Sequence, residues 1–213
     1  MTTFVSTLGF NTSHLQSLIV GEDVDDGDHL VLVRPDDDDQ RGKGAVQDIE
    51  GLVGMIDQEI TTELLKFDPD DFEGTTTALA DFLDDTDDEL VVNLAGGDRA
   101  LVLALSVATM STTADLRSTY IRSDVTQESH EVQLPTVRPK LNDRDREVLK
   151  YVVENGPVSN TRIAVATGKS DTTVHRSVNE NLEEMGYVEV RDDGGKNSVR
   201  ATFVGELIYN RLR

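Results

Sequence analysis

The chain contains no cysteine. That removes a disulfide framework, a thiolate nucleophile and any Cys-ligated metal site. No stretch approaches the ~20 consecutive apolar residues of a membrane-spanning helix. The opening Met1-Thr2-Thr3-Phe4 lacks the basic segment and apolar run of a secretory signal. These absences predict a cytoplasmic protein with no membrane partner. Nucleotide and hydrolase motifs are missing too. There is no G-x-x-x-x-G-K-[ST] phosphate loop, no G-x-G-x-x-G fingerprint and no G-x-S-x-G elbow. The histidines, His14, His29, His130 and His175, are scattered, and none has the i, i+4 spacing of a helical zinc pair. No metal, cofactor or catalytic residue is therefore expected. Lysine is scarce, six against fourteen arginines.

What is abundant is acid. Among 213 residues, 41 Asp and Glu face 20 Lys and Arg, a formal charge of −21. Runs such as Asp36-Asp37-Asp38-Asp39 and Asp84-Asp85-Thr86-Asp87-Asp88 lack the interleaved glycines and fixed spacing of calcium loops and read as solvated surface. An acidic, lysine-poor surface resembles that of proteins from extreme halophiles, where net negative charge maintains solubility in concentrated salt. It predicts a halophilic archaeal source. The charge is divided unevenly. Residues 1–138 hold 29 acids and 8 bases, whereas residues 139–213 hold 12 of each. A neutral tail on an acidic chain hints at nucleic-acid contact. Two prolines, Pro135 and Pro139, lie at the shift. The expected organisation is a domain over 1–134, a stiff linker over 135–140 and a second domain over 141–213.

In the first part, short apolar runs alternate with helical periodicity. Strands are expected at 4–8, 30–33, 64–67 and 90–94, with two more at 116–122 and 130–134. Between them, Leu15, Leu18 and Ile19 mark one helix. Val46, Ile49, Leu52, Val53, Ile56 and Ile60 mark a second, and Ala78, Leu79, Phe82 and Leu83 a third. Leu101 to Ala108 is nearly all apolar and is expected to be buried. Such alternation implies an α/β fold, a Rossmann-like, doubly wound, mostly parallel sheet, with ligands beyond the carboxyl ends of its strands.

Two loops at that edge are candidate ligand contacts. One is Gly9-Phe10-Asn11-Thr12-Ser13-His14, where Asn11, Thr12 and Ser13 also serve a plain capped helix start. The other is Asn93-Leu94-Ala95-Gly96-Gly97-Asp98-Arg99. Its glycines permit close backbone approach and place N–H groups at a helix N-terminus. Arg99 supplies a fork of donors to a phosphate. An arginine opposes the helix dipole there, so either an anion or the neighbouring Asp98 must compensate.

The second part reads as a winged helix–turn–helix. A helix opens at Asn142 or Asp143, with Val148, Leu149, Val152 and Val153 inward, and stops at Asn155-Gly156-Pro157. A second carries Ile163, Ala164 and Ala166, and a third runs from about Asp171 to Met185 with Val174, Val178, Leu182 and Met185 as its core stripe. A hairpin of 187–191 and 198–202 forms the wing, and a last helix covers 204–212. Double-stranded DNA is the expected partner. Ser170, Thr172, Thr173, His175, Arg176 and Asn179 face the major groove, with Arg176 suited to guanine. Arg191, Lys196 and Arg200 on the wing suit phosphates. Phosphate binding weakens with salt, so a shallower salt slope than a mesophilic relative's is expected. A protein-interaction role for the same module stays open.

The strand and loop Phe4-Val5-Ser6-Thr7-Leu8-Gly9-Phe10, the turn Asn93-x-Ala95-Gly96-Gly97-x-Arg99 and the C-terminal winged helix together resemble the archaeal CRISPR-associated transcription regulators. Those join a CARF domain, a Rossmann-like ligand sensor, to a DNA-binding module. The resemblance covers nearly the whole chain, although the family turn usually carries Ser or Thr where this chain has Ala95. It implies a homodimer with cyclic tetra-adenylate, or a related anionic ligand, across the two-fold axis. It also implies that residues 9–14 and 93–99 line the pocket, with Arg99 and the Gly96 and Gly97 amides on phosphate. An alternative is a ring nuclease that cleaves cyclic oligoadenylate, with Thr12, Ser13, His14 and Arg99 as helpers.

Overall fold

The structure is a computed structural model that describes residues 1–213 apart from 23, 25, 26, 38, 57, 58, 136–140, 193–196 and 211–213. The chain forms two compact units, Met1–Thr136 and Val137–Arg213. The expected linker at 135–140 lies outside the described residues except for Pro135.

The first unit runs β1 (Thr2–Thr7), α1 (Ser13–Gly21), β2 (His29–Pro35), α2 (Gln40–Met55), β3 (Thr61–Phe67), α3 (Phe72–Asp84), β4 (Glu89–Leu94), α4 (Arg99–Ser111), β5 (Leu116–Arg122) and β6 (Ser129–Glu131). Its six-stranded sheet has the order β3-β2-β1-β4-β5-β6. All pairings are parallel except β5 with β6. This is the mostly parallel, Rossmann-like arrangement that the alternation implied. β1 is buried along its whole length because it sits centrally, with both faces covered. Phe4, Leu30, Leu32 and Val91 pack with Leu15, Leu18, Ala45 and Ile49 of α1 and α2. Helices α3 and α4 pack on each other, and α4 touches β1, β2 and β4. Each fully buried leucine there contributes roughly 2 kcal/mol of transfer free energy.

Several sequence expectations need correction. Ile60 does not belong to α2, which ends at Met55 with Ile56 as its cap; Ile60 packs against the core from the loop instead. Helix α4 is not wholly buried. Leu101, Ala104, Leu105 and Ala108 face inward, yet Leu103 is 56% exposed. The last strand is shorter than expected, three residues at 129–131, and lies at the antiparallel edge.

The second unit runs α5 (Asp143–Asn155), α6 (Asn160–Thr167), α7 (Asp171–His175), a π-helical segment (Arg176–Leu182), β7 (Val188–Asp192), β8 (Asn197–Ala201) and α8 (Phe203–Asn210). Each start is locally encoded. The side chains of Asn142, Ser159 and Ser170 accept from the backbone N–H of Asp145, Arg162 and Thr173. Gly168 ends α6 at φ +66°, a left-handed conformation that glycine adopts without penalty. A bridge between Val158 and Val199 ties the α5–α6 connection to the wing. The core gathers Val148, Leu149, Val152, Ile163, Val174, Val178, Leu182, Val188 and Val199.

Here too the pattern needs amendment. Met185 is 47% exposed and leaves the core stripe. The reason is the π segment, in which Glu183 N–H donates to the Val178 carbonyl five residues back. The wider turn rotates the residues after it out of a 3.6-residue phase. Ala166 is exposed on α6. Leu212 lies outside the described residues.

Candidate functional site

The sheet order reverses between β1 and β4, where crossovers leave to opposite sides and a crevice opens beyond the strand ends. A cavity of about 730 Å³ lies there, within the range that holds a small ligand. The first loop lends it Gly9, Phe10, Asn11, Ser13 and His14. The second lends Ala95, Gly96, Gly97, Asp98 and Arg99. Two anticipated residues are not on its wall. Thr12 is the capping residue of α1, and its hydroxyl accepts from Gln16 Nε2 at 3.1 Å. Asn93 is 2% exposed and donates from Nδ2 to Ser6 Oγ at 3.0 Å, which fastens β4 to β1.

The glycines have a more definite task than approach to a ligand. A Cβ on Gly9 would lie 2.6 Å from the Gly97 nitrogen, and one on Gly96 would lie 2.4 Å from His14 Cε1. Gly96 and Gly97 also have φ of +78° and +83°. The two loops therefore interlock, and each glycine makes room for the other loop. Thr7 completes the junction by donating from Oγ1 to the Ala95 carbonyl at 3.3 Å. His14 is 4% exposed, with Nε2 donating to the Thr7 carbonyl at 3.2 Å. Burial depresses its imidazole below the ordinary 6.5, with help from nearby Arg122, against the Thr7 and Asn11 backbone interactions that raise it. It is a neutral clamp between loops at pH 7. Of the four residues named as helpers of a ring nuclease, Thr12 and His14 are held by structural hydrogen bonds, and Ser13 and Arg99 stand on the cavity wall.

Asp98 settles how α4 begins. Its Oδ1 accepts from Ala100 N–H at 2.7 Å and from Leu101 N–H at 3.4 Å. It caps the helix and does not bind Arg99, which is exposed and has no ion-pair partner among the described residues. Phe10 is 53% exposed at the mouth, and the Arg41 guanidinium carbon sits 4.0 Å from its ring centroid.

Sequence reading missed a second wall. Arg34, Pro35 and Asp37 come from the end of β2, and Arg122, Asp124 and Gln127 from the end of β5. Three arginines thus line a cavity in a part of the chain where acids outnumber bases 29 to 8. The signal was available, since strand carboxyl ends are where such sheets bind, and Arg34 and Arg122 close their strands.

In the second unit, Thr172, His175 and Arg176 are exposed, and Thr173 and Asn179 are half-buried. Ser170 and Thr173 hydroxyls lie 2.8 Å apart, so both are engaged at the helix start. A shallow depression joins Thr172, His175 and Arg176 with Asn160, Thr161 and Glu180. The cations here are not free. Arg176 Nε lies 3.4 Å from Glu180, and Arg191 Nε lies 3.3 Å from Glu189, which Arg200 also pairs. Lys196 lies outside the described residues. Asp145, 1% exposed, anchors the recognition segment by accepting from Asn181 Nδ2 at 2.8 Å and Asn142 Nδ2 at 2.7 Å. Burial alone would raise its carboxyl, but donors including Asn181, Arg144 and Asn142 outweigh it and hold it below 3.8.

Comparison with known proteins places both units. Residues 2–134 match the Csa3 CRISPR-associated Rossmann-like domain, and residues 141–189 match a winged helix-turn-helix DNA-binding domain. The crystal structure of protein VC1899 from Vibrio cholerae is similar over 98% of this chain and 64% of that one, at 11% identity and a TM-score of 0.49. The crystal structure of SSV1 F-93 is similar over 34% of this chain and 84% of that one, at 18% identity and a TM-score of 0.29. No curated protein matches the chain. Among the described residues, no helix is long and apolar enough to cross a membrane.

Proposed function

This chain belongs to the family of the Csa3 CRISPR-associated Rossmann-like domain, and from that premise we propose that it is a ligand-gated, DNA-binding transcription regulator of CRISPR-Cas genes. The sensor is the first unit and the effector is the winged helix. The observation that carries the reading is the arginine-lined cavity at the sheet's switch point, on a chain whose other unit is a DNA-binding module. Its ligand is anionic and carries nucleobases: arginines suit phosphate, and an exposed Phe10 at the mouth offers a stacking face. Cyclic tetra-adenylate fits that chemistry.

The regulator is a homodimer. Val102, Leu103 and Met110 leave an apolar strip on α4 that is only partly covered, beside Arg99 at the cavity. A second copy on that strip would bring two cavities together around one symmetric ligand. The excess of acid supports a halophilic archaeal setting. DNA recognition rests on Thr172, Thr173, His175, Arg176 and Asn179 in the groove and on the wing arginines at the backbone.

Gating requires that ligand and DNA each favour one of two states. The test is fluorescence anisotropy on a labelled promoter fragment in molar KCl, with and without cyclic tetra-adenylate. A change in apparent Kd at saturating nucleotide is expected. An identical Kd refutes gating, and no DNA binding under any condition refutes the regulator.

A further inference from the structure

Arg34 is an expensive residue. Its side chain is 3% exposed, yet among the described residues its only ion-pair partner is Asp37, 3.3 Å away and 42% exposed. Its Nε is buried with no hydrogen-bond partner. A buried guanidinium with one half-solvated carboxylate costs stability, because the lost hydration is not recovered. The fold nevertheless reserves space for it. A Cβ on Gly42, in the first turns of α2, would lie 1.6 Å from Arg34 Nη2 and 2.3 Å from its Cζ. Gly42 has an ordinary helical backbone, so the guanidinium is the reason for a glycine there. Gly44, one half-turn on, has nothing within 4 Å of such a Cβ. A charge held at a cost, in a tailored slot on the wall of a cavity, points to a ligand that completes its shell.

We propose that Arg34 is a phosphate-binding residue of the cavity, held in place by Gly42 and occupied by Asp37 until an anionic ligand displaces that carboxylate. This rests on the reading of the cavity as a phosphate-ligand site, and it adds a contact on the β2 wall, away from the two glycine loops. Asp37 then acts as an internal competitor. It keeps the guanidinium compensated in the empty state and sets the threshold at which ligand binds. The acidic segment that contains it adjoins α2, whose N-cap is Asp39, so displacement of Asp37 would be felt at the start of that helix.

The test titrates the full chain with cyclic tetra-adenylate and, separately, with inorganic tripolyphosphate, by calorimetry. Arg34→Gln should bind roughly 10- to 100-fold more weakly, the loss expected for a charge-assisted contact. Gly42→Ala keeps every charge but pushes the guanidinium out of its slot, and it should weaken binding about tenfold, while Gly44→Ala, also a helical glycine, should match wild type. Asp37→Asn should bind up to about fivefold more tightly, the worth of a half-exposed pair. Thermal melts supply the structural control: a merely structural Arg34 would make Arg34→Gln melt lower with binding unchanged. If Arg99→Gln loses binding while Arg34→Gln and Gly42→Ala bind as wild type, the proposal fails and the phosphate site stands. If wild type binds neither probe, both fall together. Should Arg34→Gln not fold, the Gly42→Ala against Gly44→Ala comparison decides alone.

Discussion

Glu189 holds both wing arginines whose positions the structure describes, and neutralising it should change how this protein reads salt. Arg191 Nε lies 3.3 Å from its carboxylate, and Arg200 reaches the same oxygen. The arginine side chains are exposed, at 57% for Arg191 and 48% for Arg200, and Glu189 is half-buried at 34%. Such pairs are worth only ~0–1 kcal/mol each, so Glu189→Gln should fold normally. Its effect lies in DNA binding. In the wild type, each phosphate contact made by the wing exchanges an internal ion pair for an external one. In the variant the arginines meet phosphate as free cations. Each phosphate neutralised adds about −0.9 to the slope of log K against log salt, and because one carboxylate compensates one unit of charge between the two arginines, its loss steepens the slope by about 0.9. Over a fourfold rise in KCl that is an extra loss of about 3.5-fold. Anisotropy on a labelled non-specific duplex, measured across a KCl series, reads the slope directly. Glu206→Gln removes the same single charge from an exposed position on α8 and serves as control. Parallel lines for wild type, control and Glu189→Gln would refute the reasoning.

Three further outcomes are expected from the geometry. His14 is neutral in the fold because burial holds it below its unfolded 6.5; its stability contribution is complete above that value and falls as pH drops through it toward the folded value. Wild type should therefore lose more stability than His14→Gln in melts between about pH 8 and pH 5, and parallel curves would count against the clamp. Asp145→Ala leaves Asn142 and Asn181 without their acceptor and should cost about 2–4 kcal/mol in the denaturant transition of the second unit. The wild-type advantage holds above pH 3.8, the unfolded value, and shrinks as pH falls through the lowered folded one. Leu103→Glu places a charge on the partly covered strip of α4 and should convert the proposed dimer to monomer in light scattering, with ligand binding weakened at the same protein concentration; an unchanged dimer would move the interface elsewhere.

The parallel order of the first unit was legible because central strands bury both faces and so read as unbroken apolar runs such as Leu30-Val31-Leu32-Val33. The winged helix was legible because its caps are local: Asn142, Ser159 and Ser170 each sit one residue before a helix and accept from it. What escaped depends on contacts distant in sequence. Asn93 is indistinguishable by sequence from a ligand residue, and only the pairing of β1 with β4 brings Ser6 to its amide. The Gly96-Gly97 pair suggested a phosphate turn, and nothing local to it reveals that Gly9, Leu8 and His14 across the crevice also require glycine there. Met185 fitted the core stripe at a period of 3.6, and the π segment broke that phase.

The acidity of the chain also explains why its few bases are placed as they are. Each arginine described at either candidate site except Arg99 and Arg122 is matched to a carboxylate: Arg34 to Asp37, Arg176 to Glu180, and Arg191 and Arg200 to Glu189. In concentrated salt a free cation offers little, since its attraction to phosphate is screened within about 3 Å at 1 M. A paired cation presented to a phosphate exchanges one partner for another, and far fewer ions are released than when a bare phosphate is neutralised. Such exchange depends weakly on salt and strongly on geometry, because the incoming oxygen must match what the carboxylate already gave. Arg99 and Arg122, matched to no carboxylate among the described residues, are then the contacts whose contribution falls most steeply with salt, and the paired arginines mark where a ligand must fit.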